Sequence, residues 1–203
     1  MATLDSFHSL VLPSVIGCPT VTANQAIVNA CIEFCEKTLI VREVIDPFDT
    51  VADTQDYDID VSIGSKLVMI MQASIDGIEL VPLGSDDFLS LGTAVSKPQS
   101  YRYREDGTLA LYPIPDDVYA VGLVVATKPS RAATTVNDKL FEDWGEHIAS
   151  GALQRLLMIP AVWSNPALAA SHASYFMAGI NKARLDHRRE KTRAETSIRP
   201  VWI

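Results

Sequence analysis

An α+β fold is predicted, in which a helical bundle formed by an N-terminal helix and a C-terminal helical hairpin carries an inserted antiparallel β-sheet block and an extended C-terminal arm. Three observations predict it. Apolar residues recur every three or four positions near both ends of the chain, the period changes to two from Ile40 onward, and turn signals punctuate that middle stretch. With 203 residues, 48% of them hydrophobic, the chain can bury a real core and is not a disordered polymer. The expected layout is one domain over 1–203, with N-terminal helices in 3–39, the β block in 40–130, the hairpin in 137–191 and the arm in 192–203.

Residues Thr3 to Leu12 fit a short amphipathic helix capped by Thr3 that buries Leu4, Phe7, Leu10 and Val11 and ends at Pro13. A firmer helix follows from Ala23 to Leu39. Its inner face holds Ile27, Cys31, Phe34 and Cys35, and its outer face Asn24, Asn29, Glu33 and Lys37.

Strands are expected at Ile40–Phe48, Asp56–Val61 and Leu67–Ile75. The last runs into Asp76-Gly77, a hairpin turn, and returns as Ile78–Leu83. A second hairpin joins Ser100–Arg104 to Thr108–Tyr112 through Glu105-Asp106-Gly107, and Tyr119–Thr127 reads as the central strand. A helical turn capped by Ser85 fits 85–91.

The hairpin begins with Asn137 as N-cap. Leu140, Trp144, Ile148, Ala152, Leu156 and Ile159 form one apolar row and Phe141, Gly145, Ala149, Leu153 and Leu157 a second, with Pro160 stopping the helix near Met158. Asn165 caps a second helix that opens on Pro166. Its stripe is Leu168, His172, Phe176 and Ile180, flanked by Tyr175, Gly179 and Ala183. Continued to Lys191 it would span roughly 39 Å, more than a small core needs, so its end should project.

Charge and motifs narrow the function. The net charge is −8, with 18 acids against 7 basic residues in 1–130 and 7 against 10 in 131–203. An acidic body opposes tight phosphate binding. No apolar run approaches a membrane span, and the first residues lack a signal peptide's basic and apolar regions, so a soluble, non-secreted protein is expected. Cys18, Cys31 and Cys35 read as free thiols of a reducing compartment.

Asp56, Asp58 and Asp60 alternate as one solvated strand face opposite Tyr57, Ile59 and Val61, without the glycine and glutamate of a calcium loop. No phosphate loop, nucleophile elbow or zinc signature occurs, and His147 reads as an ordinary helix-surface histidine. No catalytic, metal-binding or cofactor-binding residue is assigned, and an enzyme is not expected.

The arm is the more informative feature. Lys182, Arg184, Arg188, Arg189, Lys191, Arg193 and Arg199 face only three acids in 182–199, and Pro200, Val201, Trp202 and Ile203 follow. An exposed Trp-Ile pair is unfavourable in water, and tryptophan is a frequent interface anchor. Arg188, Arg189, Lys191, Arg193, Arg199, Pro200, Val201, Trp202 and Ile203 are therefore assigned to partner docking. Folding back on the core and nucleic-acid binding by the basic stretch are the other readings of this tail.

The stretches IVNACIEFCEKTLIVRE, VMIMQASIDGIELVPL, DGTLALYPIPDD, KPSRAATTVNDKLFEDWGEHIASGALQRLLMIP and WSNPALAASHASYFMAGINKAR come in that order. Together they resemble the head-to-tail adaptor (connector) proteins of tailed bacteriophages, and are similar in plan to the tail tubular protein A type of short-tailed phages. The likeness covers roughly residues 3–190 and is strongest in the final hairpin.

The resemblance implies a structural virion protein made in the host cytoplasm and placed at the virion neck. It would form a homo-oligomeric ring of about twelve copies, with portal protein above, tail or nozzle protein below, and genomic DNA passing the lumen without specific binding. Alternatives are a tail-completion or stopper protein of the same conduit and a small α+β enzyme.

Overall fold

The computed structural model describes residues 1–84, 92–104 and 107–189, and of 187–189 the backbone alone. Among these residues it is an α+β protein with five α-helices and three sheets. The expected helical turn at 85–91, the turn residues Glu105 and Asp106, and the arm from 190 onward lie outside the described residues.

The N-terminus is more broken than a single helix. Strand β1 (Ala2–Thr3) leads into a 3₁₀ turn (Leu4–Phe7), helix α1 (His8–Val11) and a second 3₁₀ turn (Leu12–Ser14). Thr3 stands at the N-cap of the first 3₁₀ turn but makes no side-chain cap hydrogen bond, its Oγ1 lying 3.3 Å from Ser6 Oγ. Leu4, Phe7 and Val11 are buried as expected, whereas Leu10 is exposed. The switch from 3₁₀ to α winding changes the angle per residue, so a single 3.6 period cannot place every apolar side chain inward.

Helix α2 (Thr20–Thr38) starts three residues before the predicted Ala23, since the Pro19 carbonyl already accepts from Thr22 and Ala23. It ends where Leu39 adopts a left-handed conformation at φ 53°. Ile27, Cys31, Phe34 and Cys35 are buried, and the three cysteines are free thiols. The outer residues Asn24, Asn29, Glu33 and Lys37 are only half exposed. Neighbouring elements reach them: Asn24 meets His8 Nε2 at 2.6 Å, and Glu33 pairs with Arg155.

Strands β2 (Arg42–Asp49), β3 (Asp56–Asp58), β4 (Ser65–Ile75), β5 (Ile78–Glu79), β6 (Val81–Pro82), β7 (Ser100–Tyr103), β8 (Thr108–Tyr112), β9 (Ala120–Pro129) and β10 (Thr135–Val136) follow. One sheet runs β2-β9-β4-β5, a second β3-β8-β7-β6, and β1 pairs with β10.

The predicted central strand is central: β9 lies between β2 and β4. Pro47 sits in β2, an edge strand, within a register shift between Ile45 and Phe48, where the missing N–H costs no ladder bond. Asp76 and Gly77, at φ 50° and 79°, make the tight turn from β4 to β5.

The predicted return strand Ile78–Leu83 is instead divided between the two sheets. Its second half, β6, pairs parallel with β7, so the block is not wholly antiparallel. The buried Leu80 sits at the crossing.

The helix expected from Asn137 to Met158 is interrupted. Asn137 caps α3 (Asp138–Glu142), accepting from Lys139 N at 3.0 Å. Trp144 then leaves helical geometry (φ −132°, ψ 10°), and α4 (Gly145–Leu156) begins. The break drives the indole into the core, where its ring centre is 5.4 Å from that of Phe34.

Both predicted rows are buried apart from Phe141, which is half-buried, and Ile159, which lies past the helix end. Trp163, in the loop, donates to the Leu156 carbonyl at 3.2 Å.

Helix α5 (Pro166–Arg189) opens on the Asn165 side chain, which accepts from Leu168 N at 3.0 Å. Its buried stripe is Ala169, Phe176, Gly179, Ile180 and Ala183; Leu168 and Tyr175 are exposed. The stripe is rotated from the predicted one because α5 approaches α4 through glycines, which lets the backbones close and admits the smaller face. The expected projection does not begin before Asp186, since Arg184 Nε still donates to the Lys37 carbonyl at 2.7 Å.

Two hydrophobic clusters result. One joins α2, α4 and α5 with the N-terminal turns around Phe34, Ile148 and Phe176; the other fills the space between the sheets around Leu109, Leu111 and Leu123. Helix α2 packs on β9, and the ion pair Lys128–Glu36 at 2.5 Å spans the join.

Candidate functional site

Where α3, the break at Trp144, the last turns of α5 and the start of β2 converge, the surface opens into a groove of about 780 Å³. The sequence explains each wall. Leu39 in its left-handed turn swings Ile40 and Val41 across the helix ends, and the Asn137 cap turns α3 over them. Lys139 Nζ donates to the Ile40 carbonyl at 3.3 Å, tying the two walls together.

The floor is apolar, made by Ile40, Val41 and Trp144, and the rim carries both signs of charge: Arg42, Lys139 and Lys182 against Glu142, Asp143 and Asp186. Lys182 Nζ stands 5.7 Å from the centre of the Trp144 ring, within cation–π range. Trp144 is 95% buried by its 5% residual exposure, and its Nε1–H has no hydrogen-bond acceptor. Such an orphaned donor costs about 1–3 kcal/mol.

Behind the floor, the interface of α4 with α5 is set by small residues. His147 lies against Gly179 and stacks on Tyr175 with ring centres 4.4 Å apart. Its Nδ1 is buried without a partner, so it is not the helix-surface histidine expected from sequence.

Glu33 binds Lys37 Nζ at 2.5 Å and the Arg155 guanidinium, which also reaches the Gly151 carbonyl. Burial pushes the Glu33 carboxyl up, but the Lys37 hydrogen bond and the charges of Arg155 and Lys37 outweigh it and hold the group below its usual range. This network fastens α2 to α4 just under the root of the arm.

The outward face of α5 is unusual in lacking charge. No Asp, Glu, Lys or Arg occurs from Ser164 to Asn181, and Leu168, Tyr175 and Met177 stand exposed among Ala167, Ala170, Ser174 and Ala178. A solvent-facing helix ordinarily carries charge there.

Of the residues assigned to partner docking, Arg188 and Arg189 close the backbone of α5, and Lys191, Arg193, Arg199, Pro200, Val201, Trp202 and Ile203 lie outside the described residues. The groove at their root was not anticipated. Its signal in the sequence was weak: Trp144 fits the apolar row of a continuous helix, and nothing marks it as a break.

Asp56, Asp58 and Asp60 form the expected solvated face, with Arg104 on Asp56 at 2.8 Å, while Tyr57, Ile59 and Val61 pack on the sheet core. Among the described residues no helix is long and apolar enough to cross a membrane, and no group of three His, Cys, Asp or Glu side chains gathers as a metal site.

An α+β body with a long uncharged helix face, a groove at the end of its final helix and a basic segment beyond has the form of a structural assembly protein, the class to which phage adaptors belong. The chain belongs to the SU10 adaptor protein family, whose model matches residues 14–200 and so takes in the sheet core, the helical core apart from Leu4, Phe7 and Val11, the groove and most of the arm. Among curated proteins, none matches the sequence.

Proposed function

We propose that the protein is the head-to-tail adaptor of a tailed phage, one domain over 1–203, assembled as a homo-oligomeric ring between portal and tail with genomic DNA passing through its lumen. The observation that carries the assembled state is the uncharged outer face of α5. The centre of that face is small and uncharged, Ala167, Ser174 and Ala178, with Leu168 and Tyr175 exposed on one flank and Met177 on the other, and a neighbouring subunit would cover it without burying an unpaired charge.

In this reading the helical bundle of α2, α4 and α5 forms the ring wall, and small residues on the face of α5 let adjacent subunits approach closely. The sheets face outward or toward the tail. The acidic excess of residues 1–130 would keep lumenal DNA from adhering.

The segment Arg188 to Ile203 is the docking arm, with Trp202 as its anchor and Arg188, Arg189, Lys191, Arg193 and Arg199 as its charges. Removing Pro200–Ile203 tests it. The truncated protein should fold with unchanged circular dichroism and fail to join portal particles in co-sedimentation. Normal incorporation of the truncated chain would refute the arm assignment.

A further inference from the structure

We infer that the sheet containing β2, β9 and β4 continues from copy to copy, the open edge of β4 in one subunit receiving the β2 edge of the next. The contact rests on the ring reading and adds a strand seam to the one on α5.

Strand β4 has eleven residues, Ser65 to Ile75, and β9 pairs with it from end to end on one side. On the other side β5 reaches only Ser74 and Ile75, and the Leu80 amide donates to the Ala73 carbonyl at 2.8 Å. Among the described residues nothing pairs with that side from Lys66 to Gln72. The free stretch holds one charge and no proline: Leu67, Val68, Met69, Ile70 and Met71 follow Lys66, and Met69 is 50% exposed. An open edge of that length and composition accepts a further strand.

The opposite edge of the same sheet supplies it. Beyond β2 there is no further strand among the described residues, and Val44 on it is 75% exposed. Its charge is the reverse of that on β4, with Glu43, Asp46 and Asp49 against Arg42. Lys66 and Asp46 are both exposed, and neither has a charge partner among the described residues. Opposite signs favour β4 against β2, whereas β2 against β2 sets acid beside acid. Pro47 has no N–H to offer, so the seam is confined to the part of β2 before it.

Both β2 and β4 run antiparallel to β9 and therefore parallel to each other. A neighbour turned through a small angle keeps that direction, so its β2 meets β4 as a parallel strand. The two edges differ, which makes the contact heterologous, and a heterologous contact generates a ring where the rotation closes. Register shifts between Leu67 and Met69 and between Ile70 and Gln72 bend β4 at the join. A sheet carried round a closed assembly needs such a bend. Two β4 edges paired with each other would stop at a dimer.

Cysteine pairs read the seam in the full chain assembled with portal. In a Cys18→Ser background, Val44→Cys and Met69→Cys each place one accessible thiol on one edge, since Cys31 and Cys35 are buried. A short bismaleimide should join the two variants when mixed, give no product with either alone, and turn the double variant into a ladder of multimers. A Met69→Cys chain that links to its own kind, or to tail protein alone, overturns the second-copy assignment.

Lys66→Asp in the Met69→Cys chain should abolish the mixed product, and Asp46→Lys in the Val44→Cys chain should restore it. Undiminished linking by the Lys66→Asp chain overturns the charge pairing. Failure of the ring reading is separable by sedimentation of the same samples. Complete rings without the mixed product remove the seam alone; linked open chains that never join portal keep the seam and remove the ring; absence of both overturns both.

Discussion

Gly179 of α5 lies directly against the ring of His147 on α4: a Cβ added to it would stand 2.5 Å from His147 Cγ and 2.7 Å from His147 Cβ. The second distance matters more, because a Cβ cannot swing aside as a ring can. The two helices approach here only because the residue is glycine.

Gly179→Ala should therefore destabilise the protein by about 1–3 kcal/mol through overpacking, despite alanine's better helix propensity. Gly151→Ala should act likewise, since its Cβ would lie 2.7 Å from the Phe176 ring. Urea denaturation measures both. Stability equal to or above that of the parent would show that the helices can separate at no cost.

Phe34 touches both aromatic anchors of the helical core, 5.4 Å from Trp144 and 6.1 Å from Phe176 between ring centres. Phe34→Ala should cost about 3–5 kcal/mol, because no neighbour can fill the space between three helices. Leu10→Ala, at an exposed position that the sequence alone places inside, should change stability by no more than about 0.5 kcal/mol. Thermal or urea unfolding of the pair distinguishes the observed burial from the predicted one.

Glu33 gives the acid limb of the stability profile a definite sign. Its folded carboxyl is held below the usual value, so its contribution is full above the unfolded value of about 4.3 and is lost as pH falls through the folded one. Glu33→Gln should lower stability by about 1–2 kcal/mol at neutral pH and flatten the decline below about pH 5. Parallel profiles of parent and variant across that window would contradict the assignment.

Ala178 is exposed on the uncharged face of α5. Ala178→Glu should leave monomer stability within about 0.5 kcal/mol while preventing subunits from associating. Unfolding and sedimentation of the same preparation check both halves; an unimpaired assembly would place the subunit contact elsewhere.

These positions also show what the sequence made legible. Local rules located α2 and the central strand β9 by their period, α5 by its cap and period, and the Asp76-Gly77 turn by its residue types. It failed where tertiary packing set the geometry. Trp144 leaves its helix to reach Phe34, and the buried stripe of α5 turns toward Gly151 and Gly179 rather than toward Leu168 and Tyr175. Residues Ile78–Leu83 divide between two sheets. The groove shares this origin: it exists because a helix breaks at Trp144 and Leu39 turns left-handed, and neither event has a compositional mark. The charge-free run from Ser164 to Asn181 was present in the sequence, but it gained meaning only once α5 was seen to expose one side of it.

The central claim is that this chain is a ring-forming adaptor at the neck of a phage particle. Cryo-electron microscopy of the neck in purified particles measures it most directly. Density for this fold should repeat as a closed ring between portal and tail, with the outward α5 face of each copy against a different surface of the next. A particle whose neck lacks the protein, with the purified chain remaining monomeric even beside portal, would contradict it.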